Sequence, residues 1–224
     1  MMAPKAVVLL SGGLDSSTVL AMTKDKGYDI FALTLIYGQR HEKEMESAVS
    51  VADSLGVKEH RVMELPEGLF SGSSLTFDSE VPLNGENENR IPSTYVPARN
   101  LVFLSIAVSW AEALDAEAVF IGVNEVDYSG YPDCRPEFIE AFIKAQELAT
   151  KRGVEGDPIR IVTPIMEMSK SEIIRTGTSL GLDYGLTWSC YRGGVKACGR
   201  CDSCRFRLKG FREAGLEDPL EYEE

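Results

Sequence analysis

The chain has 224 residues, 44% of them hydrophobic and 26% charged, which is the balance of one ordinary globular domain with room for a small appendage. A net charge of −12 argues against a broad nucleic-acid-binding face, because such a face needs Lys and Arg to displace counterions, and leaves room only for a local basic patch. No apolar run approaches the roughly 18 residues of a membrane span, and the apolar stretch 6–10 is too short for a signal-peptide core, so the expected compartment is the cytoplasm.

The first strand is predicted over 5–10, an apolar, β-branched run. It breaks at Ser11-Gly12-Gly13 and restarts as Asp15-Ser16-Ser17, opening a helix over 15–26 that Gly27 ends. Strand, tight turn and helix start make this stretch a candidate phosphate loop. Two glycines let backbone N–H groups approach an anion, the helix start leaves free donors and partial positive charge, and Ser11, Ser16 and Ser17 add hydroxyls. An ordinary βα turn capped by Asp or Ser uses the same residue types. The stretch is not a Walker A loop, since no Gly-Lys-Ser/Thr follows the glycines, and it lacks the Gly-x-Gly-x-x-Gly of a dinucleotide fold.

A second near-continuous apolar run, 29–36, suits a parallel strand covered on both faces, and Tyr37-Gly38-Gln39-Arg40-His41 follows at its end. A helix is predicted over 42–55 with Met45, Ala48, Val49 and Ala52 on its inner face, then a third strand over 58–65. This β-α-β-α-β start predicts an α/β fold, a doubly wound, Rossmann-like parallel sheet of about five strands. Residues 66–97 lose periodicity and read either as a mobile surface loop or as a lid or partner contact. Tyr95-Val96-Pro97-Ala98-Arg99-Asn100 opens an apolar helix over 101–114, and a fourth strand is predicted over 118–121. A polar and aromatic loop, 122–135, precedes a helix started by Pro136, with Phe138, Ala141, Phe142, Ala145 and Leu148 on one stripe. A fifth strand is expected over 159–162, and Ser169 caps a helix over 170–180, with Glu172 an imperfect capping-box signal. Ligands of open sheets sit beyond the C-terminal strand ends, so loops 11–17, 37–41, 122–135 and 163–170 are expected to converge on one cleft.

Four of the five cysteines form Cys190-x7-Cys198-x2-Cys201-x2-Cys204. With no signal-peptide core, disulfides are not expected. The spacing suits a tetrahedral all-sulfur zinc site, structural because it leaves no open position; an iron–sulfur cluster is the rival. The expected division is a nucleotide-binding domain over 1–185 and a zinc-binding segment over 186–224. Cys134 stands apart and reads as a small buried hydrophobe.

The Ser-Gly-Gly-Leu-Asp-Ser stretch at 11–16 resembles the pyrophosphate loop of the ATP pyrophosphatase superfamily, which cleaves ATP between the α and β phosphates. The residues quoted at 37–41 and 95–100 extend the resemblance. So do Gly122-Val123-Asn124-Glu125, Asp127-Tyr128-Ser129-Gly130-Tyr131-Pro132-Asp133-Cys134-Arg135 and Trp188-Ser189-Cys190-Tyr191 with the three later cysteines. Together the sequence resembles the 7-cyano-7-deazaguanine synthase family over nearly its whole length. The resemblance implies an adenine nucleotide hydrolase-like fold. It also implies a ligase that turns 7-carboxy-7-deazaguanine, ammonia and ATP into the nitrile, through an adenylated carboxylate and an amide, for queuosine or archaeosine synthesis. By the same resemblance Leu10, Ser11, Gly12, Gly13, Leu14, Asp15, Ser16, Ser17 and Thr18 hold ATP, and Asp15 orients Mg²⁺. Lys170 meets phosphate, Arg99 meets the substrate carboxylate or a phosphate, and Asp127, Asp133 and Tyr131 read the deazapurine, with Tyr128 a second stacking candidate. Asp15, Lys170 and Arg99 are then the catalytic set. Turn-forming aspartates and a solvated lysine are the plain readings of the same residues. His41 reads equally as proton shuttle or structural residue, and His60 as structural. A homodimer, free ammonia as nitrogen donor, no stable nucleic-acid partner and no membrane complete the expectation. A tRNA-modifying member of the superfamily, thiolase or lysidine-type, and a non-catalytic nucleotide-binding zinc module are the alternatives.

Overall fold

The computed structural model describes residues 3–39, 42–66, 68–76, 81–82, 91–125 and 130–223, the Glu42 side chain excepted. Its strands are β1 (Lys5–Leu9), β2 (Asp29–Ile36), β3 (Glu59–Glu64), β4 (Ala118–Phe120) and β5 (Arg160–Val162). They form one sheet in the order β3-β2-β1-β4-β5, every neighbour parallel. Lys5 lies opposite Asp29, and Ala6 lies opposite Ala118. The chain winds outward through β2 and β3, then crosses back to β4, so the strand order reverses beside β1. At such a switch point the connections leave in opposite directions and open a crevice.

The helices are α1 (Leu14–Asp25), α2 (Glu42–Leu55), α3 (Arg99–Ala113), α4 (Pro136–Ala149), the single turn α5 (Lys151–Val154), α6 (Lys170–Ser179) and α7 (Asp202–Ala214). Alternation along β1 divides the core. Ala6, Val8 and Leu10 point toward α1, α2, α6 and α7, while Val7 and Leu9 point toward α3 and α4. Helices on both faces explain why β1 reads as an unbroken apolar run. Among the described residues no helix is long and apolar enough to cross a membrane.

Two helices are rotated from the stripes the periodicity suggested, α2 slightly and α4 more. In α2 the buried set is Ala48, Val51, Ala52 and Leu55, and Val49 is 40% exposed. In α4 the buried set is Ile139, Phe142 and Gln146, and Leu148 is 82% exposed. Alanines at 141 and 145 offer little area to bury, so the isoleucine side wins. Gln146 holds a core position because its amide donates to the Ile159 carbonyl at 3.1 Å. Part of segment 66–97 is packed on the domain: Phe70 and Val96 cluster with Tyr37, and Ser74 N–H donates to Ser93 O, while Leu69 and Ile91 are exposed. Helix α7 has no counterpart in the sequence reading. It lies on α6, where a Cβ at Gly210 would come 2.4 Å from Cγ of Lys170.

Candidate active site

The crevice opens at the C-terminal ends of β1 and β4, and the 11–16 loop forms its floor. Gly12 has φ +81°, and a Cβ there would lie 2.3 Å from the Glu44 carbonyl and 2.5 Å from the Ala48 nitrogen. Only glycine meets both the left-handed backbone and the close approach of α2. Gly13 caps α1 without a side-chain hydrogen bond, so the first-turn N–H groups face the crevice uncapped. The Ser11 and Ser16 hydroxyls are 3.0 Å apart, Ser11 N–H donates to Ser16 Oγ at 3.1 Å, and Ser16 Oγ donates to Gly13 O at 3.2 Å. The loop is thus held in shape before any ligand arrives.

Leu10, Ser11, Gly13, Leu14, Asp15 and Ser16 line the crevice. Gly12, Ser17 and Thr18 stand behind it. The Thr18 hydroxyl donates to Leu14 O at 2.8 Å and lies 2.8 Å from the Tyr184 hydroxyl, facing the core.

Lys170, far along the chain from Asp15, places Nζ 2.7 and 2.9 Å from its two carboxylate oxygens. The lysine is 7% and the aspartate 20% exposed. The start of α6 is fixed by a full capping box: Ser169 N–H donates to the Glu172 carboxylate at 2.8 Å, and Glu172 N–H to Ser169 Oγ at 3.3 Å. The Asn124 amide, at the end of β4, donates to Ile165 O at 2.8 Å and Met168 O at 2.7 Å, which ties this start to the sheet.

Arg99 enters from the opposite wall. Its Nη1 donates to the Tyr37 hydroxyl at 3.3 Å, and its guanidinium lies 5.9 Å from the Tyr37 and Phe103 ring centroids. It makes no salt bridge among the described residues. The preceding Ala98 is left-handed, φ +53°, and cannot cap α3 with its side chain. Asp133 supplies the missing acceptor: its Oδ2 takes the Asn100 N–H at 2.9 Å, and the Asn100 amide donates back to Asp133 O at 3.0 Å. Asp133 therefore sits behind the crevice wall, capping the helix that carries Arg99, instead of lining the pocket as the sequence suggested. Tyr131 does line it, its hydroxyl 2.7 Å from Thr94 Oγ1. Asp127, Tyr128, Arg40 and His41 lie outside the described residues. Cys134 is buried, and burial pushes its thiol up to about 12, opposed by Arg99. His60 shares a hydrogen bond of 2.8 Å with Thr34.

The structure adds wall residues that the sequence left without a role. Glu44 lines the crevice from the first turn of α2, and burial pushes its carboxyl up to about 7 against the pull of Arg99. Trp188, Ser189, Tyr191 and Arg207 form the remaining wall. Glu44 follows the strand-end motif 37–41 by about one helical turn, and Arg207 follows Cys204 by three positions, so each lies within one turn of a motif the sequence did show.

The four cysteine sulfurs of 190, 198, 201 and 204 lie within 4.8 Å of one another, all buried and none in a disulfide. Bonds of ~2.3 Å to one tetrahedral ion set sulfurs about 3.8 Å apart, so the group fits a single ion. A multi-iron cluster holds its cysteine sulfurs farther apart. Backbone N–H groups of Cys198 and Arg192 donate to Cys190 Sγ, and those of Arg200 and Cys201 to Cys198 Sγ, at 3.3–3.4 Å. Donors converging on sulfur favour thiolate, the form that binds metal.

The sequence matches the family described as queuosine biosynthesis protein QueC over residues 5–215. A 7-cyano-7-deazaguanine synthase from Saccharophagus degradans is 56% identical over 220 residues, 97% of each chain. Another from Magnetococcus marinus is 57% identical over 220 residues, 97% of this chain and 96% of that one. The structure of an NMN synthetase from Francisella tularensis shares the fold, with a TM-score of 0.52 at 15% identity, over 96% of this chain and 79% of that one. The chain belongs to the QueC family of queuosine biosynthesis proteins.

Proposed function

We propose that the protein converts 7-carboxy-7-deazaguanine and ammonia to 7-cyano-7-deazaguanine with ATP, in the cytoplasm. The observation that carries this reading is the Lys170–Asp15 pair on the uncapped start of α1, facing Arg99 across one crevice. A carboxylate is a poor acyl donor, so its oxygen first attacks the α-phosphorus of ATP and displaces pyrophosphate. Charge grows on the leaving phosphates. The Leu14–Ser16 N–H groups, the Ser11 hydroxyl and the Lys170 ammonium stand where they receive it. Asp15 would hold Mg²⁺, which neutralises phosphate charge when bound. Arg99 holds the substrate carboxylate, which its planar fork matches. Asp133 keeps Arg99 in place through the start of α3.

Ammonia then attacks the acyl carbon and AMP leaves, giving the amide. A second ATP adenylates the amide oxygen, and loss of AMP with the remaining N–H protons gives the nitrile. Tyr131 and Asp127 are the candidates for reading the guanine-like edge, the first by stacking and the second as acceptor. Cys190, Cys198, Cys201 and Cys204 would hold Zn²⁺ in a closed structural site that fixes the 188–191 wall. The half-exposed Leu101 on α3 and Val62 on β3 offer apolar surface for a second copy, as a homodimer would use. A quench assay with mass detection tests the reading. Amide as intermediate, and two AMP for each nitrile, is the expected result. AMP formed only with tRNA would overturn it in favour of a tRNA-modifying enzyme.

A further inference from the structure

We infer that Arg207 is a positioning residue for the phosphate loop, and that through it the C-terminal tail sets the affinity for ATP. Arg207 is 2% exposed and is the largest fully buried side chain of the molecule among the described residues. Its Nε lies 2.8 and 3.1 Å from the two oxygens of Asp218, and its Nη2 3.0 Å from Asp218 Oδ1. Nη1 donates to Thr187 Oγ1 at 2.7 Å and Ser189 Oγ at 3.4 Å, and Nη2 to Tyr184 O at 3.0 Å. The guanidinium thus grips both ends of segment 184–189.

That segment also touches the phosphate loop directly. Trp188 N–H donates to Gly12 O at 2.9 Å, and the Cβ position of Gly13 faces Trp188 O at 3.6 Å. Gly12 has no side chain to pack and a backbone conformation open to many alternatives, so this hydrogen bond restrains the loop from outside. Asp218 is held in turn: the Tyr222 hydroxyl donates to it at 2.6 Å and Leu220 N–H at 3.1 Å. The tail itself is pinned where Ala197 N–H donates to Glu221 O at 2.9 Å and Glu223 N–H to Ala197 O at 2.8 Å.

A buried ion pair adds little net stability over well-packed apolar residues of the same size. Holding α7 in place therefore does not account for a guanidinium here. Fixing a loop through several directed hydrogen bonds does, because apolar packing gives no such direction. The path runs from Asp218 through Arg207 and Thr187 to Trp188 and Gly12, each step a hydrogen bond or a peptide link.

The inference rests on the ATP-using reading above, and its test isolates the nucleotide. Zinc-loaded Arg207→Gln, Arg207→Lys, Asp218→Asn and Tyr222→Phe are compared with the parent by calorimetric titration of ATP alone, with zinc content and Tm recorded. Steady-state KM for ATP and for the carboxylate substrate follows. Arg207→Gln is expected to weaken ATP binding about tenfold, the effect of one lost charged hydrogen bond, with KM for the second substrate unchanged. Arg207→Lys recovers part of the loss, and the two tail variants weaken ATP binding about threefold in the same direction. Unchanged ATP affinity in a folded, zinc-replete variant overturns the inference, as does an equal rise in both KM values. If Arg207→Gln does not fold, the two tail variants decide by the same criteria. A parent that binds ATP but makes no nitrile fails the substrate reading and leaves this one standing.

Discussion

Two sides of the crevice, the phosphate loop and the 188–191 wall, are held by different forces. The phosphate-loop wall grows out of β1, where Ala6, Val7 and Val8 are fully buried, and out of α1, where Val19 and Leu20 are as well. Apolar area removed from water stabilises it, so it forms whenever the sheet forms. The wall at 188–191 rests on a small apolar cluster of Val81, Trp188 and Ala197 around four thiols, with the Arg207–Asp218 pair behind. Four thiols placed to hold a metal ion, and an ion pair, take the place of buried area in that wall. That difference predicts that one half of the site is tied to folding, while the other half is lost first when its thiols or its ion pair are disturbed.

Removing the metal makes the largest break. Cys204→Ser, or chelation of the native protein, is expected to lower nitrile formation at least ~10³-fold, since structural zinc contributes several kcal/mol to the order of its segment. Far-UV circular dichroism changes only by the loss of α7 and its neighbours. One cooperative transition, sheet and cysteine segment together, would end the distinction between the walls. The opposite break is Phe120→Ala in β4, a side chain 1% exposed and 5.5 Å edge-on to Tyr28. Stability should fall by about 3–5 kcal/mol in urea unfolding while the surviving folded protein keeps its zinc. Smaller in scope is Lys170→Met, which keeps the buried stem that packs on Gly210 of α7. It removes the ammonium beside Asp15 and should lower kcat by roughly 10²-fold, with zinc content and Tm close to the parent's. A large fall in Tm would assign Lys170 to holding α6 and not to phosphate.

The same contrast explains what could be read in the sequence. The apolar runs and turn signals were legible: the β1-loop-α1 unit, the five parallel strands, and the Ser169 start of α6. The cysteine spacing was legible too, because ligand geometry acts over a few residues. Helix α7 was not, since its buried positions are Ser203, Cys204, Arg207, Gly210 and Phe211, and an inward face with one large apolar side chain gives a weak apolar stripe. Asp133 was misplaced for a related reason. Its partner, the Asn100 N–H, is distant in sequence, and a cap supplied from another loop leaves no local pattern. The inner faces of α2 and α4 were off because alanine fits either side of a helix, and only the sheet beneath decides.

The smallest effect tests whether the loop wall is built for shape or for contact. Ser17 is fully buried, and its Oγ has no hydrogen-bond partner among the described residues. A helical serine ordinarily donates to the carbonyl four residues back, but Gly13 O already accepts Ser17 N–H at 3.1 Å and Ser16 Oγ at 3.2 Å. An unmet buried hydroxyl costs on the order of 1 kcal/mol or more. Alanine removes that cost and keeps the small volume beneath the loop. Ser17→Ala is therefore expected to raise stability by about 1 kcal/mol in urea unfolding, with zinc content unchanged and KM for ATP within about twofold of the parent. A severalfold rise in that KM would show that the hydroxyl waits for a phosphate oxygen. The loop wall would then resemble the cysteine wall in holding a polar group whose partner arrives from outside the chain.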